Sequence, residues 1–140
     1  MPRRQYDLSI HTAAGKGKHR VHAAVQFMGA DILLSIWGGS VPHIGSVAIT
    51  QPRPSLQQNQ KKTSCTSSVY NFTGHKDEAV ARGCAEKIAA ACNKNTIAVA
   101  GIHIDNAVPA DIASILKNVD AVCANIIKKL RGIKCKKESL

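Results

Sequence analysis

The stretch Ile32-Leu33-Leu34-Ser35-Ile36-Trp37-Gly38-Gly39-Ser40-Val41-Pro42-His43-Ile44-Gly45-Ser46-Val47-Ala48-Ile49-Thr50 decides the fold. Two apolar runs, 32–37 and 44–50, have strand length and strand composition, and a glycine- and proline-bearing switch separates them. A simple hairpin would need only two turn residues. Here paired glycines remove side chains and let the backbone approach something closely. Pro42 then fixes one dihedral, and His43 offers a donor or an acceptor near neutral pH.

Working outward, Tyr6, Leu8 and Ile10 alternate with Asp7, Ser9 and His11, and Val21, Ala23, Val25 and Phe27 alternate with polar His22 and Gln26. A period of two predicts half-buried strands. A turn at 13–18, with Gly15 and Gly17, and a tight connection at Gly29-Ala30-Asp31 link them to the 32–37 run. Short links between sequential strands predict an antiparallel meander. Downstream, Pro52-Arg53-Pro54-Ser55 is expected to end the fourth strand, because proline cannot donate to a ladder. A polar, Gln-rich loop at 56–63 leads to a fifth strand at 64–72.

Gly74-His75-Lys76-Asp77-Glu78 opens a helix with Val80, Cys84, Ile88 and Ala91 as its buried stripe and Glu78, Arg82 and Glu86 as an exposed ladder. Asn93-Lys94-Asn95 ends it. The run 96–104 has little polar character and is expected to be a central strand. Pro109 suits the first turn of a second helix, with Ile112, Ile115, Leu116, Val119, Cys123, Ile126, Ile127 and Leu130 on one face and Gly132 as its stop. The order βββββαβα predicts an α+β fold: one mostly antiparallel sheet of about six strands, with two helices on one face. Residues 1–133 form one domain, and 134–140 are expected to be a disordered basic tail.

Composition narrows the function. The chain has 140 residues, 44% of them hydrophobic and 20% charged, enough for one core without staples. Aromatics are only 4%, so the core must come from Ile, Val, Leu and Ala. No run approaches membrane-helix length and no signal-peptide pattern follows Met1, which predicts a soluble, cytoplasmic protein with no membrane partner. The five cysteines form no CxxC pair, and Cys84, Cys92 and Cys123 fall on apolar helix positions, as small hydrophobes do. The net charge of +10 gathers at Arg3 and Arg4, at Lys16, Lys18 and Arg20, and from Lys128 to Lys137. Such charge attracts phosphate. Nucleic acid is not the expected partner, because no aromatic residues are interleaved for base stacking.

Several groups could carry chemistry. His103 and Asp105 stand two apart at a strand end, where a carboxylate can orient an imidazole for acid–base work; the simpler reading makes Asp105 and Asn106 a turn. His75 and Lys76 precede a helix N-terminus, which favours an anion, although neither a P-loop nor a dinucleotide glycine pattern is present. Arg53, stiffened between two prolines, could present its guanidinium to phosphate or carboxylate. His11 and His22 could meet across adjacent strands, but without a carboxylate or thiolate companion they do not argue for a metal. No metal is expected. The parts list of a typical hydrolase or kinase is missing.

Taken together, Ile36-Trp37-Gly38-Gly39, Pro42-His43-Ile44-Gly45-Ser46-Val47-Ala48, Pro52-Arg53-Pro54-Ser55-Leu56, Thr66-Ser67-Ser68, Phe72-Thr73-Gly74-His75-Lys76-Asp77-Glu78 and Gly101-Ile102-His103-Ile104-Asp105-Asn106-Ala107 resemble one family. It is the prenylated flavin chaperone-like family, which includes the small accessory proteins of gallate and hydroxyarylic acid decarboxylase systems. The resemblance implies a prokaryotic, non-catalytic accessory protein that assists cofactor delivery or enzyme maturation and binds prenylated FMN or FMN transiently. It implies the decarboxylase catalytic subunit or the flavin prenyltransferase as partners. A proteasome-assembly-chaperone-like fold, and with it a homodimer, is also implied. Carried over by position, Trp37, Gly38, Gly39, His43, Arg53, His75, His103, Asp105 and Asn106 are the expected cofactor-binding residues, converging on one rim of the sheet, with no catalytic role assigned. Two alternatives stand beside this: a protein-assembly module that never meets flavin, and a small enzyme using the His103–Asp105 pair.

Overall fold

In the computed structural model, residues 9–57 and 61–138 are described. The expected strand segment around Tyr6 and Leu8 and the centre of the Gln-rich loop lie outside them. Six strands and two helices follow in the order β1 (Ser9–Ala14), β2 (Val21–Met28), β3 (Asp31–Gly39), β4 (Ser46–Pro54), β5 (Thr63–Asn71), α1 (Glu78–Cys92), β6 (Thr96–His103) and α2 (Pro109–Glu138). A short 3₁₀ turn at Gly17–His19 joins β1 to β2. The fold is α+β, as the order of elements predicts.

The sheet is not a simple meander. Its strand order is β1-β2-β3-β6-β4-β5. The first three strands pair antiparallel in sequence, with Gly29 (φ +62°) at the first position of the β2–β3 turn. β6 then enters between β3 and β4, parallel to the former and antiparallel to the latter. The 40–45 switch thus spans a whole strand width, which is why it needs more than two residues. β4 also continues through both prolines to Pro54. β6 pairs with β4 only over Ser46–Thr50, so Pro52 and Pro54 lie where β5 is the sole partner and one missing donor costs nothing.

Both helices cover one face, α1 over β4, β5 and β6, and α2 over β1 and β2. The α1 side is built small, with Ala48, Ala98 and Ala100 facing Ala81, Ala85 and Ile88, all fully buried. The α2 side carries the larger groups, Val21, Val25 and Phe27 against Val119, Val122 and Ile126. The buried side of α1 is centred on Ala81, Cys84, Ala85, Ile88, Ala89 and Cys92; Val80 and Ala91, expected within it, are partly exposed at its edges. Arg82 pairs with Glu78 at 3.0 Å, but Glu86 leaves the expected ladder. It accepts instead from Ser67 Oγ at 2.8 Å. With its proton so committed, Ser67 accepts from Thr50 Oγ1 at 2.9 Å, which satisfies a buried hydroxyl beneath the helix.

Asn93 ends α1 in the left-handed conformation (φ +51°). α2 does not stop at Gly132 but runs to Glu138; with open space around Gly132, nothing there forces a chain reversal. Its start is fixed from an unexpected side. Val108 has no capping side chain, and Asp111 reaches back to accept from the Val108 N–H at 3.0 Å, as the third residue of a capping box does. The same buried carboxylate contacts His19 Nε2 at 2.7 Å and Lys18 Nζ at 3.0 Å, tying the β1–β2 link to the helix.

The hydrogen bond with His19 foremost, then the Val108 amide and Lys18, hold the Asp111 carboxyl well below the usual carboxylate range. A depressed folded value stabilises the fold above the unfolded pKa of about 3.9, and that contribution is lost as pH falls toward the folded value. Urea denaturation of wild type and Asp111→Asn should therefore differ by a constant amount near neutrality, with a gap that closes below about pH 4.

Candidate functional site

The C-terminal end of β6 is where three segments meet. Gly39 (φ +79°) lies so close to β6 that a Cβ there would fall 2.1 Å from the His103 carbonyl oxygen. Ser40 N–H donates to that same carbonyl at 2.8 Å. Gly38 is pressed equally hard against the Arg20 carbonyl, 2.4 Å from where its Cβ would be. The paired glycines therefore approach neighbouring backbone. On its other side β6 carries Gly101, whose Cβ would lie 1.6 Å from the His43 carbonyl oxygen. This contact brings the Pro42-His43 turn down onto the strand end.

His43 is consequently half-buried beside the start of α1. Its Nδ1 donates to the Val41 carbonyl at 3.1 Å, and its Nε2 lies 3.3 Å from Asp77 Oδ2. Asp77 is buried, and its Oδ1 accepts from the Ile102 N–H at 3.0 Å. Gly45 makes room for this pair, since a Cβ there would stand 2.0 Å from Asp77 Oδ2. His75 lies tilted at 34° against His43 with ring centroids 4.4 Å apart, and His103 meets it edge-on at 6.0 Å. His103 Nε2 is 2.9 Å from Asp105 Oδ1, so the anticipated pair forms; both members are exposed. Asn106 takes the left-handed conformation (φ +53°) of the turn into α2.

His43, His75, Asp77 and His103 lie along one edge of a cavity of about 440 Å³ between β6, the N-terminus of α1 and the first turns of α2. Ile102, Ile104, Val80, Ile112 and Leu116 make an apolar wall, and His43, His75, Lys76 and His103 a polar edge. A concave apolar space with a few convergent polar groups is the usual form of a small-molecule site, commonly 300–1,000 Å³ in volume.

The expected residues do not all gather there. His43, His75 and His103 line the cavity; Gly39 packs on the His103 backbone, Asp105 pairs with His103, and Asn106 makes the turn into α2. Trp37 stands on the opposite, helix-free face, stacked on His22 at 5.5 Å and 10° and close to His11 at the same distance. Gly38 packs on strand backbone. Arg53 is bonded to Thr66 at 2.9 Å near the other end of β4, seven residues, or about 23 Å, along the strand from Ser46. The residues missed are Asp77 and the apolar wall from α2. Asp77 has the sequence signature of a helix N-cap, yet it makes no capping bond and reaches across to β6 instead.

The architecture is one six-stranded sheet under two helices. It is shared with a chain of a chaperone complex for yeast 20S proteasome assembly, at a TM-score of 0.55 and 13% identity over 88% of this chain and 96% of that one. Sequence comparison carries the assignment further: the chain belongs to the prenylated flavin chaperone LpdD-like family, whose profile matches residues 15–131. It is similar to Protein LpdD of Lactiplantibacillus plantarum (strain ATCC BAA-793 / NCIMB 8826 / WCFS1), 27% identical over 114 residues, covering 81% of this chain and 79% of that protein.

The Gly101–His43 contact gives a direct test of this arrangement. Gly101→Ala should lift the His43 turn from β6 and cost about 3 kcal/mol in urea denaturation, as overpacking against fixed backbone does. Gly83→Ala, at a helix site with open space, should cost nothing.

Proposed function

We propose that this protein is a non-catalytic accessory protein of a prenylated-FMN-dependent aromatic acid decarboxylase system, holding FMN or prenylated FMN transiently for delivery or enzyme maturation. The cavity at the end of β6 carries this reading. Its apolar wall suits a flavin ring and an added prenyl carbon skeleton, while Lys76 and the amides entering α1 suit a phosphate. The residues present fit such a ligand. Their work is to bind, cover and release: the wall excludes water and the polar edge orients. Partners in this reading are the decarboxylase catalytic subunit or the flavin prenyltransferase, in the cytoplasm.

The open face of the sheet supports a second element of the proposal, a homodimer. Leu33, Ile97 and Ile49 form one row across it, and Ser35, Val99, Val47 and Tyr70 the next. Ile49 and Tyr70 are 58% and 67% exposed. These rows bear no charge, although the chain carries +10. A charge-free apolar patch suits a second copy of itself better than a phosphate. In sedimentation, Ile49→Lys should convert a dimer into a folded monomer, whose melting temperature no longer rises with protein concentration.

The one observation favouring an enzyme is the formed His103–Asp105 pair. Its exposure argues against a catalytic base, and His103→Ala should leave decarboxylation undiminished when the partner enzyme is supplied already loaded with prenylated FMN.

Purified protein titrated with FMN and with prenylated FMN, followed by fluorescence, tests the main proposal. Binding with a micromolar Kd is expected, weakened about tenfold or more by Leu116→Lys, which sets an ammonium in the apolar wall. Lys76→Glu should weaken it more at low salt than at high. Arg53→Ala should leave it unchanged. Binding of neither flavin at about 50 μM would overturn the flavin reading.

A further inference from the structure

We infer that His43, His75 and Asp77 bind a single first-row divalent metal ion at the mouth of the cavity. The inference goes beyond the flavin reading and needs no flavin. Its starting point is a conflict of lone pairs. The Val41 carbonyl can only accept, so His43 Nδ1, 3.1 Å away, carries the proton. In the neutral ring Nε2 is then a lone-pair donor, and it points at a carboxylate oxygen 3.3 Å away. Unless the ring takes up a second proton, two acceptors face each other. Among the described residues, His43 Nε2 is also the buried side-chain polar atom without a hydrogen-bond partner.

A cation between them resolves the conflict, and the spacing suits one. Two ligands about 2.0 Å from one ion at the tetrahedral angle stand about 3.3 Å apart. One ligand atom from each of His43, His75 and Asp77 lies within 4.8 Å of the others, and His75, which is exposed, has the freedom to close the remaining distance. Both inner ligands are held from behind, His43 by the Val41 carbonyl and Asp77 by the Ile102 N–H. Such backing contacts are usual for metal-binding imidazoles and carboxylates. Gly45 keeps the space beside the pair free of a side chain.

Two imidazoles and one carboxylate select zinc or ferrous ion over calcium or magnesium, which prefer all-oxygen shells. All three ligands line the cavity, so the remaining coordination positions face into it. An oxygen of a bound anion or carbonyl is the class of group they would take. Lys76 on the same edge adds to the preference for a negatively charged occupant.

Chelator-stripped protein titrated calorimetrically with zinc chloride, and by absorbance with cobalt(II), tests the inference. One ion per chain is expected, with a Kd of micromolar or tighter and a cobalt spectrum of low coordination number. His75→Ala, at an exposed position, should weaken binding by about 100-fold or more while leaving the metal-free melting curve unchanged. Asp77→Asn should weaken it as well, with some loss of stability from its contact to β6. His22→Ala, on the opposite face, should bind as wild type does. Zinc binding weaker than about 1 mM, or equal binding by wild type and His75→Ala, would overturn the inference and leave His43 and Asp77 as an ordinary ion pair. Because these titrations contain no flavin, their outcome is separate from that of the flavin titration.

Discussion

The rest of the structure depends on the backbone ladder of β6. This strand hydrogen-bonds on both sides, to β3 over its whole length and to β4 over Ser46–Thr50, and so joins two halves of the sheet that are otherwise unpaired. Its last residues govern the site. The His103 carbonyl receives the Gly39–Ser40 turn, the flat surface of Gly101 receives the His43 carbonyl, and the Ile102 N–H receives Asp77 from the start of α1. The cavity owes its position to a strand end at which three glycines, Gly39, Gly45 and Gly101, allow backbone and buried side chains to crowd together.

The two faces of the sheet have different tasks. The covered face holds the core and, at its end, the cavity. The helix-free face carries the stacked His11, His22 and Trp37 and the uncharged rows around Ile49 and Ile97. Cofactor handling and self-association are thus proposed for opposite sides of one layer, so that neither needs to obstruct the other. In family terms the chain is a prenylated flavin chaperone LpdD-like domain, and this division suits the proposed role of holding a small molecule while meeting other proteins.

Much of the fold was legible because it is local. Alternation in Val21, Ala23, Val25 and Phe27, the glycine turn at 29, and the apolar stripe of the second helix all report contacts within a few residues. The insertion of β6 was not, because Ile32 opposite Thr96 is a pairing between distant segments that no local pattern encodes. The same divide runs through the site. His43, His75 and His103 were legible as chemically able residues beside glycines, and the His103–Asp105 pair as neighbours on a strand end. Asp77 was hidden, since an aspartate before a helix reads as a cap whichever way its carboxylate turns. Arg53 and Trp37 were placed with the others because loop composition gives no information on which end or which face of a strand a side chain occupies.

The late position of β6 in the chain has a consequence for how the protein comes into being. During synthesis β1, β2 and β3 can form a meander, and β4 and β5 a hairpin, soon after they emerge. The inner edges of β3 and β4 then remain open until residues 96–103 have left the ribosome. Closing the sheet requires contacts of high sequence separation, which slows folding and leaves two strand edges exposed in the meantime. Because the cavity forms only once β6 and the start of α2 are in place, a partial chain lacks it, and the candidate site and the completed fold arise in one event.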